Sequence, residues 1–254
     1  MRLALLADLH ANLHALQAVW QDVDRQRPDG VYCLGDLVGY GAFPNEVVGF
    51  VRERLIPTVM GNYDEGVGFD RDECGCAYRS LAERQRGDIS LRWTRAQTTP
   101  DNKAFLRSLP RYIRLEGSMP NLLLVHGSPR RTNEYMYQDR PQALFQRLAR
   151  TEGQGIIAFG HTHVPYAKKV QDTWFVNAGS VGRPRDGDPR AGYVIVTAEK
   201  EPQMEFRRVT YDAERAAQAV RAGGLPLAFA DDLVSGGAAQ GVAAEEISEK
   251  GTGE

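Results

Sequence analysis

The sequence predicts an α/β fold, and three observations lead to that prediction. The N-terminal third alternates strand-like apolar runs with helical patterns, which is the order of a parallel sheet with right-handed crossovers. Leu3 to Ala7 is a continuous apolar run, as expected for a strand that is buried on both faces. The later strand-like segments alternate apolar and polar residues and are joined by short Gly- or Asp-marked turns, which favours antiparallel pairing.

The first elements follow one another along the chain. Asn12 can cap a helix that runs to about Arg25, because apolar residues recur there at helical spacing. Pro44 suits the first turn of a second helix. The remaining elements predicted in this third are a strand at 31–34, a helix at 44–54 and a strand at 57–60.

The middle of the chain breaks this alternation. Residues 65–109 are rich in charge, and we interpret them as a helical excursion over the sheet edge. Beyond them we predict strands at 112–115, 122–125, 156–159, 174–176, 193–197 and 204–209, and helices at 141–150 and 213–221. Residues 1–234 are interpreted as a single domain, and residues 235–254, which lack apolar periodicity, as a disordered tail.

Composition narrows the class of protein. The chain has 254 residues, 42% of them hydrophobic and 25% charged, as in an ordinary soluble globular protein. A net charge of −2 gives no support for a nucleic-acid-binding surface, so no stable nucleic-acid binding is expected. The apolar start is interrupted by Asp8 and His10, so we predict no membrane span and a cytoplasmic location. Cys74 and Cys76 form a C-x-C without a second pair, which argues against a structural zinc site.

The histidines are the strongest functional signal. Of the five in the chain, four fall in the motifs Asp8-x-His10, His126-Gly127 and Gly160-His161-Thr162-His163. Between these motifs lie Gly35-Asp36 and Gly61-Asn62-x-Asp64. Each motif closes an apolar run and opens a turn, so each is interpreted as the carboxyl end of a strand. Converging strand ends that carry Asp, Asn and His predict a metal site with room for two ions.

The donor types indicate the metal and its chemistry. Carboxylate, amide and imidazole ligands suit Mn²⁺, Fe²⁺ or Zn²⁺ better than Ca²⁺. Two such ions roughly 3.5–4 Å apart would form a clamp for in-line displacement at phosphorus. Taken singly, each motif also has an ordinary interpretation as a turn or a surface histidine. The ordered set of five makes chance coincidence the weaker hypothesis.

The ordered set resembles the calcineurin-like metallophosphoesterase superfamily, whose pattern is D-x-H, G-D, G-N-H-D/E, H and G-H-x-H. The resemblance runs from Arg2 to about Asp212 and is strongest to a small bacterial and archaeal phosphodiesterase-like branch. Residues 35–41, 126–130 and 177–182 are also similar to that branch. The resemblance implies a four-layer αββα sandwich of two mixed β-sheets flanked by helices, with a dinuclear metal site between the sheets.

The resemblance also implies roles for individual residues. Asp8, His10, Asp36 and His163 would hold the first metal, and Asp36, Asn62, His126 and His161 the second, with Asp36 bridging. Asp36, Asn62, His126 and His161 are the candidate catalytic residues. We expect two divalent ions, with Mn²⁺ favoured and Fe²⁺, Ni²⁺ or Zn²⁺ as alternatives.

One position departs from the family pattern. Tyr63 stands where many members have a histidine that protonates the leaving alkoxide, and tyrosine does not titrate like histidine near neutrality. We therefore expect a preference for good leaving groups, or reliance on the metals to stabilise the leaving oxygen. The candidate substrate-binding residues are Asn12, Tyr63, Arg130 and Arg183, with the arginines suited to bidentate phosphate contacts.

The leading hypothesis is a dimetal phosphodiesterase in which a metal-bridging hydroxide attacks phosphorus in line. A phosphomonoesterase, a protein phosphatase or a dinucleoside polyphosphate hydrolase is the alternative within the enzyme class. The retromer subunit that shares this fold is a protein-binding scaffold, so a non-catalytic role on the same fold stays open. The partner expected is a small phosphate ester such as a nucleotide, and a homo-oligomer is compatible with this interpretation.

Overall fold

A computed structural model describes residues 1–116, 120–153 and 155–237, and in these ranges the chain forms nine strands and eight helices. The strands are β1 (Arg2–Leu6), β2 (Gly30–Cys33), β3 (Tyr112–Leu115), β4 (Leu122–Val125), β5 (Gly155–Phe159), β6 (Tyr166–Val170), β7 (Thr173–Asn177), β8 (Ala191–Thr197) and β9 (Gln203–Val209). The helices are α1 (Leu13–Gln26), α2 (Pro44–Glu53), α3 (Asn62–Gly68), α4 (Leu81–Gln97), α5 (Pro100–Ser108), α6 (Gln142–Glu152), α7 (Ala213–Ala222) and α8 (Leu227–Ser235).

The strands form two mixed sheets. The first has the order β2-β1-β8-β9, in which β1 and β2 are parallel and the other pairs antiparallel. The second has the order β3-β4-β5-β7-β6, in which β4, β5 and β7 are parallel and the two edge strands antiparallel to their neighbours. The predicted antiparallel pairing of the later strands is confirmed for β8 and β9. It is wrong for β4, β5 and β7, which pair in parallel because α6 connects β4 to β5 as a crossover and β6 returns the chain before β7 begins.

The two sheets share one apolar layer. Leu3 and Leu5 of β1 lie in a core cluster with Leu122, Leu124 and Ile156 of the second sheet. Side chains alternate between the faces of a strand, so the intervening residues of β1 face the opposite way. Each fully buried leucine contributes roughly 1.5–3 kcal/mol to folding, so the continuous apolar run of β1 stabilises both of its faces.

Helices cover the outer faces. Ala4 and Leu6 of β1 share a second cluster with Leu16 of α1 and Val48 of α2. On the other side, Phe145 of α6 packs in a cluster with residues of β5 and β7. The order helix, sheet, sheet, helix confirms the predicted αββα sandwich. None of the helices in the described ranges is long and apolar enough to cross a membrane.

The N-terminal elements agree closely with the prediction. The Asn12 side chain accepts a hydrogen bond from the backbone N–H of Ala15 at 3.1 Å and caps α1 as expected. Arg27 follows this helix as its C-cap, with a left-handed φ of 47°. Residues 65–109 contain the end of α3 and the whole of α4 and α5, so the excursion is helical.

The predicted strand at 57–60 is wrong. Only Thr58 pairs with the first sheet, through a single parallel bridge to Cys33. Pro57 has no N–H to give a ladder, and the N–H of Met60 bonds instead to the carbonyl of Pro110 at 2.7 Å. Asn62 therefore opens helix α3 instead of following a strand.

Two elements escaped prediction. Strand β6 is an edge strand that carries Lys168 and Lys169, so its apolar alternation is weak. Helix α8 follows Pro226, ends before Gly236 and packs against α7. The predicted tail at 235–254 is wrong for its first residue, because Ser235 belongs to α8. Residues 238–254 of that predicted tail lie outside the described residues.

Candidate metal centre

The loops that follow the strands are tied together by backbone hydrogen bonds. The N–H of Asp8 donates to the carbonyl of Gly35 at 3.0 Å, and the N–H of His10 to the carbonyl of Asp36 at 2.9 Å. The Asp8 carboxylate in turn accepts from the N–H of His161 at 2.9 Å, which joins the loops of the two sheets. The predicted motifs therefore meet at one edge of the sandwich.

Two buried groups of ligand atoms lie side by side there. One comprises Asp8, His10 and His163, and the other Asp36, His126 and His161; within each group, the ligand atoms lie within 4.8 Å of one another. These are carboxylate oxygens and imidazole nitrogens, the donors that borderline divalent metals prefer. The geometry is consistent with a dinuclear metal centre.

Asp36 lies between the two groups. Its Oδ2 is 3.7 Å from Nε2 of His10 and 3.4 Å from Nε2 of His126. The Oδ1 of Asn62 lies 3.0 Å from the same Nε2 of His126, and the Nε2 atoms of His10 and His163 are 3.0 Å apart. All seven predicted ligands therefore lie together, including Asn62.

Backbone carbonyls orient the imidazoles. The Nδ1 atoms of His10, His126 and His163 lie 3.1, 2.7 and 2.6 Å from the carbonyl oxygens of Val38, Leu34 and Arg183, respectively. A carbonyl can only accept, so each Nδ1 carries a proton and Nε2 is the nitrogen that faces the centre. His161 makes a comparable backbone hydrogen bond with Asn133.

The ligand loops are held in uncommon backbone conformations. Asp8, His10, Asp36, His161 and His163 have φ values of 52°, 45°, 55°, 65° and 61°. Such left-handed angles are uncommon for residues other than glycine, and they cluster at functional sites where the surroundings enforce them. The fold therefore maintains local strain at five of the seven ligands.

Glycines allow the loops to approach closely. A Cβ on Gly61 would lie 2.1 Å from Oδ1 of Asp36, and one on Gly160 would lie 2.5 Å from Oδ2 of Asp8. Both positions abut ligand carboxylates that cannot move without leaving the centre. This is why glycine precedes Asn62 and His161 in their motifs.

A second set of residues orients the ligands. Asp64 accepts hydrogen bonds from the N–H groups of Asp36, Leu37 and Gly61 at 2.8, 2.9 and 3.0 Å. The Nδ2 of Asn62 donates to the Cys74 carbonyl at 3.1 Å, which directs Oδ1 toward the centre.

Burial and charge shape the titration of the ligands in the protein alone. Burial lowers the pKa of His10 to about 4 and, together with the charge of His126, that of His161 to about 3. Burial also acts to lower the pKa of His126, but the Asp36 carboxylate outweighs it and raises this pKa to about 9. Burial likewise acts to raise the pKa of Asp36, but His126 outweighs it and lowers this pKa to about 2. Metal binding would therefore displace a proton from His126.

The residues present fit a cation. Within the described chain, Oδ1 of Asp8 and Nε2 of His161 are buried without a hydrogen-bond partner. A buried polar atom left without a partner costs free energy, and a cation placed between the ligands would satisfy both atoms.

Residues 1–201 match the calcineurin-like phosphoesterase superfamily domain. The chain belongs to this superfamily. It is 31% identical over 242 residues to the uncharacterized protein MJ0912 of Methanocaldococcus jannaschii, covering 88% of this chain and 93% of that protein. The crystal structure of a metallophosphoesterase from Sphaerobacter thermophilus shares 31% identity and a TM-score of 0.76, with 93% of this chain and 100% of that one covered.

A third similarity supports the fold alone. The hypothetical protein PH1004 from Pyrococcus horikoshii has a TM-score of 0.80 at 21% identity, covering 93% of this chain and 98% of that one. The family implies a phosphoester substrate, so this chain is a metallophosphoesterase with two buried Asp and His clusters.

The structure places the four candidate substrate-binding residues of this phosphoesterase in different settings. Asn12 is buried and uses its amide for the α1 cap and a 2.9 Å hydrogen bond to the Gly182 carbonyl. Tyr63 is also buried, with its ring tilted against that of Tyr40 and edge-on to that of His10. Arg183 is buried and Arg130 exposed.

Both arginines are engaged by carboxylates. Arg183 forms an ion pair with Asp232 of α8 and lies over the Tyr40 ring. Arg130 pairs with Glu134. The contact between Arg183 and Asp232 was not foreseen, because α8 itself was missed; Pro226 before this apolar segment and Gly236 after it are the signals that would have indicated it.

Other residues that adjoin the centre are not indicated by the sequence. Tyr135 lies against His161 with 4.0 Å between ring centroids and stacks on Tyr137. The sulfurs of Cys74 and Cys76 are 2.8 Å apart, and that of Cys76 lies 3.2 Å from Nδ2 of Asn62. No spacing rule for a metal motif would have indicated that these cysteines adjoin a ligand.

Proposed function

We propose that this metallophosphoesterase is a dinuclear phosphodiesterase. The single observation that carries the proposal is the position of Asp36 Oδ2, within 3.7 Å of an imidazole from each buried group. A carboxylate oxygen so placed is suited to bridge two cations, and two bridged cations are the arrangement used for in-line displacement at phosphorus.

The contacts support the following ligand assignment. We assign one ion to Asp8, His10, Asp36 and His163, and the other to Asp36, Asn62, His126 and His161. When bound, the ions would polarise the phosphoryl oxygens and supply the nucleophile at neutral pH. The mixed oxygen and nitrogen donors favour Mn²⁺, with Fe²⁺, Ni²⁺ and Zn²⁺ as alternatives.

The chain's own groups position the reaction. Backbone hydrogen bonds fix the rings of His126 and His161, so no reorganisation of these groups is needed when charge develops on the phosphoryl oxygens. Asn62 contributes a neutral amide oxygen, which keeps the second site less negative than a carboxylate would. Both features favour an anionic substrate.

The engagement of Arg183 supports a diester over a monoester at the reacting phosphorus. A monoester carries one more negative charge and gains from an additional cation beside the metals. The guanidinium of Arg183 is already paired with Asp232 in a buried contact, and its backbone carbonyl holds His163. A singly charged diester has less need of that guanidinium.

The test is metal removal followed by reconstitution. The protein is treated with a chelator and restored singly with Mn²⁺, Fe²⁺, Ni²⁺ or Zn²⁺, and hydrolysis of bis(4-nitrophenyl) phosphate is compared with that of 4-nitrophenyl phosphate. We expect metal-dependent cleavage that favours the diester. Monoester preference would refute the diesterase assignment and leave a phosphomonoesterase or protein phosphatase. Metal binding without hydrolysis of either compound would favour the scaffold alternative.

A further inference from the structure

A cavity of about 420 Å³ borders the candidate metal centre on the side of Asn62. Its charged lining comes from four arginines and two glutamates on three separate stretches of the sequence, namely Arg71, Arg111, Arg130, Arg131, Glu65 and Glu73. The lining thus carries two more positive than negative charges, although the whole chain has a net charge of −2. This surplus of positive charge lies beside the predicted ligand Asn62.

The arginines of this cavity differ in how they are paired. Arg71 and Arg111 both contact Oε1 of Glu65, at 3.0 and 2.9 Å. Arg130 pairs with Glu134. The exposed guanidinium of Arg131 has no hydrogen bond or ion pair with any residue of the described chain. Arg131 therefore offers its donors to a ligand without first breaking a contact.

Two residues connect the cavity to the ligands. Asn62, which also lines the cavity, places Oδ1 3.0 Å from His126 Nε2. Asn133 is a second wall residue, and its backbone makes a hydrogen bond with His161. These two residues place the cavity next to the predicted ligands of the second metal position.

We propose that this cavity is a second anion subsite, which binds a further phosphate group of the substrate. The inference deepens the proposed function and rests on it: the substrate would be a phosphodiester that carries a second phosphate, such as a phosphorylated nucleotide. A planar guanidinium binds phosphate through two parallel hydrogen bonds, and Arg131 is available for this contact. The lining contains no aromatic side chain, so the cavity recognises the anion and not a base.

Equilibrium binding separates this subsite from catalysis. Calorimetry with the metal-loaded protein would compare thymidine 3′,5′-bisphosphate with thymidine 5′-monophosphate, which differ by one phosphate. We expect the bisphosphate to bind about tenfold or more tightly, since a charge-assisted hydrogen bond contributes about 1.5–3 kcal/mol. Equal affinity of the wild-type protein for the two compounds would overturn the proposal.

Two variants with opposite expected effects on the preference for the bisphosphate extend the test. Arg131→Gln should abolish most of the preference for the bisphosphate. Glu65→Gln should increase it, because it releases the guanidinium groups of Arg71 and Arg111. Arg147→Gln is the matched control, since it removes the same charge from an exposed position of α6 outside the cavity lining.

The outcomes are distinct. A preference that survives Arg131→Gln, or that falls equally with Arg147→Gln, would refute the subsite. Hydrolysis would be followed separately with thymidine 5′-(4-nitrophenyl phosphate) and its 3′-phosphorylated form. Tight bisphosphate binding without hydrolysis of either compound would refute the diesterase and retain the subsite. Hydrolysis of both compounds with equal kcat/KM, together with equal affinity for the bisphosphate and the monophosphate, would retain the diesterase and refute the subsite.

Discussion

The carboxylate of Asp64 accepts a hydrogen bond from the backbone N–H of Asp36 at 2.8 Å, which ties the first turn of α3 to the loop after β2. Its other contacts, with the N–H groups of Leu37 and Gly61, complete its pairing. In return, Oδ1 of Asp36 accepts from the N–H of Tyr63 at 2.8 Å. The bridging candidate is thus fixed by a residue that need not touch a metal itself.

Asp64→Asn should weaken metal binding. The amide would present an N–H₂ group to backbone donors, so at least one hydrogen bond to the Asp36 loop would be lost. Substitution of a residue that orients a metal ligand typically lowers metal affinity by about 10–100-fold. The check is a metal titration by calorimetry, with Asp70→Asn as control, because Asp70 is half-exposed and pairs with Lys103 at the surface. Wild-type affinity for both ions in Asp64→Asn would contradict this role.

Asp36→Asn should reduce occupancy at both metal positions. Its Oδ2 adjoins both groups of ligands, and a neutral amide oxygen is a much weaker bridge. His163→Ala should affect one ion more than the other, because His163 belongs to the group of Asp8 and His10 alone. Elemental analysis of the purified variants measures this difference. Loss of a single ion in Asp36→Asn, as expected for His163→Ala, would show that Asp36 does not bridge.

Tyr63→Phe should leave the free energy of unfolding within about 1 kcal/mol of the wild-type value, because a buried hydroxyl without a partner contributes little. The Tyr63 hydroxyl has no hydrogen-bond partner among the described residues. Burial raises the pKa of this hydroxyl well above its ordinary value. Chemical denaturation measures the change, and a loss of several kcal/mol would reveal a contact that the structure does not show.

Tyr63→His should reduce the difference in cleavage rate between diesters with good and poor leaving groups. The wild-type protein should cleave aryl diesters much faster than alkyl diesters, and a histidine here should raise the alkyl rate by up to about 10²-fold through general acid catalysis. Tyr63→Phe serves as the control, since it cannot donate a proton. Similar wild-type rates on aryl and alkyl diesters would contradict the expected preference for good leaving groups.

Asp22→Asn should lower stability at neutral pH by about 1–3 kcal/mol. Asp22 accepts a 2.7 Å hydrogen bond from the Tyr193 hydroxyl and pairs with Arg207. Burial acts to raise the pKa of Asp22, but these contacts outweigh it and lower the pKa. A carboxylate whose pKa is lower in the folded than in the unfolded protein stabilises the fold at pH values above its unfolded pKa of about 3.9. That contribution is lost as the pH falls below this value and through the folded-state pKa.

Urea unfolding between about pH 6 and 3 measures this effect. The difference between wild type and Asp22→Asn should shrink as the pH falls. Asp24→Asn, at an exposed position of the same helix, should stay within about 0.5 kcal/mol of wild type. A constant difference across the range would contradict the contribution of the charged form.

Local pattern predicted much of the fold. The apolar run of β1, the cap at Asn12 and the bounds of β3 and β4 were recoverable because periodicity and capping chemistry act within a few residues. The segment at 57–60 has residues compatible with a strand, but its pairing with the first sheet stops after Val59, because Pro57 has no N–H and the N–H of Met60 bonds to the carbonyl of Pro110. Strand β6 was hidden because an edge strand tolerates lysines.

The sequence by itself determined the set of metal-ligand candidates, since Asp, Asn and His followed the apolar segments in a fixed order. Tertiary structure alone decided which atoms meet: Oδ2 of Asp36 between two imidazoles, Asp64 beneath the bridging loop, and Asp232 on Arg183. It also brought Arg71, Arg111 and Arg131 around one cavity. The physical reason is range: periodicity encodes the local backbone, whereas contacts between distant segments depend on how the two sheets and their helices pack.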